Sequence, residues 1–406
     1  MNGGATDPSA PAPIDAPAPI DVAIVGAGII GANHAAAVDR HPRLRVAALV
    51  DPDEAASAAL ARSIAERTGG EPPGRYSNLG DALADRPIGL VAICTPSGLH
   101  APIAEQAVAA GAHVVIEKPL DVTLSRARRL ADAATAAQAR GLVVSVVSQH
   151  RFDPASVAVA QAVAAGQLGP ITSAVASVPW WRDQGYYDSA GWRGTWAYDG
   201  GGALMNQGVH TVDLLLWLLG RPVEVSAQTS RLAHHGIEVE DVAVATIRFA
   251  SGALAVLHAT TAAYPGIGTR LQVHGARGSA VIHDDQLEYF HVADDADDRP
   301  PRRPANQAAD RVPPGELRDA PKSEDGFVLG HLRQYRDVVE AIDQRRPPGV
   351  RVEDGLLSLA VVEAVYRSAV LARPVAVADV LAGTFDDVPF ATGGTLPVPA
   401  GEGERR

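Results

Sequence analysis

The chain contains a single cysteine, Cys94, among 406 residues. An intramolecular disulfide framework is therefore excluded, and cysteine usage gives no pointer to an oxidising compartment. Basic charge is also in deficit. Lysine and arginine together number 35 against 47 acidic residues, for a formal net charge of -12. A general nucleic-acid binder needs a basic surface to neutralise phosphates, so that class is excluded. A small anionic ligand is not, because one local basic pocket suffices for it. No apolar run reaches the ~18 residues of a membrane helix. The opening stretch, MNGGATDPSAPAPIDAPAPID, has neither a basic start nor a continuous apolar core, and so does not read as a signal peptide. These absences predict a cytoplasmic protein with no membrane or nucleic-acid partner.

What is present fits a globular chain with a substantial core, 47% hydrophobic and 20% charged. Its length suggests two or three domains. The Ala-Pro alternation of residues 1–20 lacks backbone donors and reads as a disordered lead-in. From Asp21 to about residue 150, short apolar runs alternate with helical patterns. The runs lie at 21–25, 44–50, 89–95, 112–116 and 142–148, with helices at 29–40, 53–67, 100–111 and 123–140. This rhythm predicts a parallel, doubly wound α/β Rossmann domain. After Asp153-Pro154 a helix near 154–165 precedes consecutive strand-like stretches at 170–181, 222–232, 239–250, 252–263, 269–275 and 278–282. Strands without intervening helices predict an open, mainly antiparallel sheet in an α+β second domain spanning 151–380. A helix at 202–219 interrupts the sheet, and helices at 327–345 and 353–371 close the domain. The charged, proline-rich segment 292–326 reads as a mobile loop, and 383–406 as an extended tail.

Gly26-Ala27-Gly28-Ile29-Ile30-Gly31 is a G-x-G-x-x-G sequence after a strand and at the start of a helix, the context that gives it meaning. The first glycine permits the turn, the second admits a pyrophosphate, and the third packs helix on strand. Asp51 closes the second strand, where a carboxylate bonds ribose hydroxyls and repels a 2′-phosphate, so NAD is expected over NADP. His34 reads as a helix residue near the domain seam. The third strand ends in Thr95-Pro96-Ser97 with His100 following, and the next in Glu117-Lys118-Pro119. Both are carboxyl ends of parallel strands, where ligands sit. A lysine there can stabilise an alkoxide as hydride leaves. In the second domain, Asn206, His210, Asp213 and Trp217 share one helix face behind a glycine run.

These signatures together resemble the Gfo/Idh/MocA family of oxidoreductases over roughly residues 20–290 and 327–380. The residues that carry the likeness are GAGIIG at 26–31, TPSGLH at 95–100, EKP at 117–119 and GGGALMNQGVHTVD at 200–213. The resemblance implies NAD as cofactor, with Lys118 and His210 flanking the reacting carbon of a sugar or cyclitol. His210 would take the hydroxyl proton, Lys118 would stabilise the oxyanion, and the hydride would pass to NAD. Gly26, Gly28, Ile29, Ile30, Gly31, Asp51, Thr95, Pro96, His100, Glu117 and Lys118 are the expected cofactor contacts.

One departure stands out. Inositol dehydrogenase-like members often carry aspartate four residues before the histidine, where this chain has Asn206. That asparagine looks more like nucleotide-sugar dehydrogenases acting on UDP-sugar acids. NAD-assisted glycosidases and non-catalytic NAD-dependent sensors are further members of the resemblance.

Four of the five tryptophans fall in 180–196, with Arg182 and Arg193. Aromatic faces suit sugar rings and an arginine fork suits a carboxylate or phosphate, so Arg182, Trp192 and Arg193 are substrate candidates. The alternative is that the tryptophans simply pack helix on sheet. Arg151 is another cleft candidate. Adjacent His234 and His235 point to opposite faces of a strand and no carboxylate shares ligand-like spacing with them, so no metal is expected. The sheet's open face predicts a homodimer or homotetramer.

Overall fold

The computed structural model describes residues 18–293 and 305–390. These fold around two sheets. The first holds β1 (Ile20–Val25), β2 (Leu44–Val50), β3 (Gly74–Tyr76), β4 (Leu90–Ile93), β5 (His113–Ile116) and β6 (Val144–Val146). Its order is β3-β2-β1-β4-β5-β6 and every pairing is parallel. Helices α1 (Ile29–Asp39), α2 (Glu54–Thr68), α3 (Leu79–Asp85), α4 (His100–Ala109) and α5 (Leu124–Gln138) cross between its strands. The continuous apolar strands are buried on both faces, as a parallel sheet requires.

The second sheet holds β7 (Ile171–Pro179), β8 (Pro222–Ser230), β9 (Val242–Phe249), β10 (Leu254–Thr260), β11 (Arg270–Gly275), β12 (Gly278–His283), β13 (Gln286–Val292) and β14 (Val375–Ala376). Its order is β13-β12-β11-β7-β10-β9-β8-β14, antiparallel except for β7 beside β10. The remaining helices are α6 (Pro154–Ala164), α7 (Gln184–Asp188), α8 (Val209–Leu219), α9 (Gly326–Gln344), α10 (Val352–Leu371) and α11 (Val377–Leu381). Strict in–out alternation along β9 and β10 buries Ala245, Ile247, Ala255 and Leu257 against the helices and leaves Val244, Leu254 and Val256 at 45%, 58% and 43% exposure.

Three sequence expectations need correction. Residues 305–326 are not a loose loop: Ala308 and Val312 are buried, and Gln307 and Asn306 hydrogen-bond along β13, whose strand pattern went unread. Residues 294–304 of that segment lie outside the described residues. The tail does not begin at 383, because Phe385 is buried and Phe390 stacks on Trp196 at 5.1 Å; residues 391–406, like 1–17, lie outside the described residues. Finally, α9 closes the first domain rather than the second. Its Leu332, Tyr335, Val338 and Val339 pack with Val22, Ile24 and Ala35 on the parallel sheet. A helix pattern states which face is apolar but not which sheet receives it.

Candidate active site

The glycine turn after β1 is shaped by close approach. Gly26 has φ +102°, and a Cβ there would lie 2.6 Å from the Cys94 carbonyl oxygen. A Cβ on Gly31 would run into the Gly26 carbonyl, which is how α1 reaches the strand. At Gly28 nothing lies within 4 Å of the same position, so the backbone is bare on that side. Ile29 is 81% exposed beside it, while Ile30 is half-buried. The Asp51 carboxylate closes β2 and accepts the N–H groups of Ala27 (2.7 Å) and Asp53 (2.8 Å). Its remaining lone pairs are free for ribose hydroxyls. Across the sheet, Thr95 carries a buried hydroxyl without a partner, and Pro96 is exposed. A bare glycine backbone at a helix N-terminus, an acidic strand end and an orphaned hydroxyl together fit a dinucleotide.

His100 is 1% exposed, and its ring lies between the carbonyls of Pro119 (2.8 Å) and Thr95 (2.9 Å). It joins the two strand-end loops instead of facing the groove. Glu117 is likewise internal: Oε1 meets His34 Nε2 at 3.0 Å and His331 Nε2 at 3.3 Å, and Oε2 accepts the Lys118 N–H. Burial opposes its ionisation, but the two imidazoles hold it well below the usual carboxylate range. The carboxylate thus fixes the loop from which Lys118 projects.

Lys118 Nζ donates to the Asn206 carbonyl oxygen at 2.9 Å. That carbonyl belongs to a π-helical turn, Leu204–Gly208, which leads into α8 and carries His210 just beyond it. A single regular helix was expected over 202–219; the π turn arises where Gly202 abuts the Glu240 backbone and the buried Glu240 carboxylate takes the N–H groups of Gly202 and Leu204. Such turns recur at functional sites. Lys118, His210, Ser148 and Asp213 line one pocket. Burial lowers the Lys118 pKa, opposed by the charges of Glu117 and Asp199. Burial also holds His210 well below the usual imidazole range, with Lys118 and His150 adding to the effect. The Asn206 amide donates to the Gly201 carbonyl at 3.1 Å.

His150 was not singled out from the sequence. It follows β6 at the carboxyl end of the parallel sheet, and its ring meets that of His210 edge-on with centroids 5.0 Å apart. Its Nδ1 donates to Asp153 (2.8 Å) and Asp285 (3.1 Å). Burial opposes protonation, but these carboxylates push His150 up to about 10. Asp285 arrives from the second sheet, in a two-residue β12–β13 turn with Asp284 and Asp285 at φ 49° and 66°. The signal was legible: aspartate tolerates positive φ, and a two-residue Asp-rich link between alternating runs marks a hairpin.

Arg151 does not open into the cleft. It is 6% exposed and forms a two-armed pair with Asp213 at 2.7 Å for each arm, beneath the Trp217 ring. The polar stripe on α8 is thus split, with Asp213 and Trp217 holding Arg151 and His210 facing the pocket. Arg182 lies over Trp180 and Tyr186, and Arg193 over Tyr186 and Trp192. His234, expected to have no carboxylate neighbour, meets Asp241 at 3.0 Å because the chain folds back. Two clusters carry metal-ligating donor types, His34–Glu117–His331 and His150–Asp153–Asp285, and both are internally hydrogen-bonded.

Comparison with known proteins agrees with this architecture. A family model described as an oxidoreductase family with an NAD-binding Rossmann fold matches residues 20–146. The model of the GFO/IDH/MocA C-terminal domain matches residues 156–281. Inositol 2-dehydrogenase of Rhizobium meliloti is 27% identical over 369 residues, 87% of this chain and 98% of that protein. Levoglucosan dehydrogenase of Pseudarthrobacter phenanthrenivorans is 26% identical over 318 residues, 69% of this chain and 78% of that protein. Among solved structures, the WlbA dehydrogenase of Chromobacterium violaceum, in complex with NADH and UDP-GlcNAcA, aligns with a TM-score of 0.73 and 31% identity, covering 88% of this chain and 96% of that one.

Proposed function

The chain belongs to the Gfo/Idh/MocA family of oxidoreductases and carries its NAD-binding Rossmann domain, and from that premise we propose that it interconverts a secondary alcohol and a ketone on a sugar, cyclitol or sugar derivative. The supporting observation is the meeting of the Lys118 ammonium and the His210 imidazole in one pocket. NAD, when bound, would supply the hydride acceptor or donor for this reaction. Asp51 favours NAD over NADP by repelling a 2′-phosphate.

The remaining steps belong to side chains of this chain. His210, held neutral by burial and by the cations around it, takes the hydroxyl proton. The same cations make imidazolium unfavourable, so His210 gives its proton up readily once turnover ends. Lys118 sits where the oxyanion develops, and its low-dielectric setting strengthens that interaction. The Asn206 carbonyl and the Glu117-braced loop keep the ammonium aimed at the site. Glu240 secures the π turn from behind.

We place the protein in the cytoplasm as a homodimer or homotetramer joined through the apolar outer face of β9 and β10. No described helix is long and apolar enough to cross a membrane. The test is NADH formation, read as absorbance near 340 nm, against cyclitols, free sugars, sugar acids and UDP-sugars. Turnover with one class, abolished in Lys118→Ala and His210→Ala, is expected. An NAD-assisted glycosidase would release free sugar with no net NADH, and a sensor would bind sugar and cofactor and convert neither.

A further inference from the structure

The loop between β7 and α8 holds two guanidinium groups without a partner. Among the described residues, the side chains of Arg182 and Arg193 have neither a carboxylate within ion-pair distance nor a hydrogen-bond acceptor, and the Nε atom of each is buried and unsatisfied. The other buried and half-buried arginines of the described chain, such as Arg151, Arg231, Arg333 and Arg346, have an oxygen partner. Burying a guanidinium N–H without an acceptor is unfavourable, and a net charge of -12 offers no shortage of carboxylates. These two cations are kept free.

They are also kept together. Both stack against Tyr186, at 4.9 Å for Arg182 and 4.4 Å for Arg193 from the ring centroid, with Trp180 and Trp192 as the outer walls at 5.2 and 4.6 Å. Stacking fixes the guanidinium planes and leaves their edges to bind an oxyanion two-pronged. The loop is tied to the reacting centre. The Gly194 N–H, next to Arg193, donates to Asp199 at 2.5 Å, and the same carboxylate acts on both Arg193 and Lys118.

We propose that Arg182 and Arg193 form an anion site that makes this an enzyme of anionic sugars, holding a carboxylate or phosphoryl group while the sugar ring lies against the aromatic walls. This rests on the dehydrogenase reading above and narrows its substrate class. A neutral cyclitol would leave both cations unsatisfied in a half-buried site, so the arrangement discriminates against it.

The experiment is calorimetric binding to NADH-loaded full-length protein of four probes: UDP-N-acetylglucosaminuronate, UDP-N-acetylglucosamine, free glucuronate and myo-inositol. At least one anionic probe is expected to bind roughly tenfold or more tighter than myo-inositol. Arg182→Gln and Arg193→Gln are each expected to weaken it by roughly tenfold or more, as loss of charged hydrogen bonds does, with NADH affinity unchanged. Tight binding of glucuronate assigns the site to a carboxylate; tight binding of UDP-N-acetylglucosamine assigns it to a phosphoryl group. Equal or tighter binding of myo-inositol, absence of binding by every anionic probe, or indifference to both substitutions overturns the proposal. Hydride transfer, measured separately on the same proteins supplied with NAD, separates the two readings. A neutral polyol oxidised equally by parent and arginine variants refutes the anion site and leaves the dehydrogenase standing. Arginine-dependent binding of an anion that never yields NADH does the reverse.

Discussion

Replacing His150 with glutamine isolates one of the charges that add to burial in keeping His210 neutral. The His150 and His210 rings are 5.0 Å apart between centroids. A unit positive charge at that distance opposes a second one by about 1 kcal/mol in water and about 3 kcal/mol at an effective dielectric of 20. His150 is held up to about 10 by Asp285 and Asp153, so it carries that charge throughout the neutral range. Its removal relieves the repulsion and frees the two carboxylates to attract a proton on His210. Both changes act in one direction: the His210 pKa rises, and its protonation equilibrium shifts by roughly tenfold or more. The assay is an NMR titration of the histidine rings, with His210→Gln assigning one among the 13 histidines. It requires no substrate. Once a substrate is known, the acid limb of the kcat/KM profile should move to higher pH in the variant. A His210 titration that stays put, or moves to lower pH, refutes the electrostatic coupling.

Arg151→Met strands the buried Asp213 carboxylate and should lower unfolding stability by about 3–5 kcal/mol, read from urea midpoints; an unchanged midpoint with a raised KM would instead make Arg151 a substrate ligand. Asp51→Ala should weaken NAD by roughly tenfold or more through lost charged hydrogen bonds and narrow its advantage over NADP, both measured by fluorescence titration. Light scattering should give a multiple of the 42.1 kDa chain mass, and Val256→Glu on the outer sheet face should shift the population toward monomer.

The parallel domain was legible because its local and global signals agree. Continuous apolar strands and a glycine turn each read alone as what they became, and Asp51 follows β2 where it was expected. The pairing of Lys118 with His210 was legible through the resemblance, since the two lie 92 positions apart in the chain and no local pattern joins them. What stayed hidden depended on long-range placement. Arg151 reads as a free cation until Asp213 folds against it. His150 reads as one polar residue in a turn until Asp285 arrives from the far sheet. The π turn at Leu204–Gly208 has no sequence signature of its own, because the pressure that forms it comes from Glu240. α9 carried a clear apolar face but no indication of which sheet it would cover.

The account stands on Lys118 and His210 moving charge for hydride transfer without holding the cofactor alone. The most direct measurement is a single-turnover experiment with NAD-saturated protein and an excess of a substrate found in the panel, following NADH in the parent, Lys118→Ala and His210→Ala, with NAD affinity measured separately in each. The account predicts that hydride transfer falls by about 10² or more in both variants, while the His210 variant binds NAD as the parent does. NADH formation at the parental rate in either variant would contradict it.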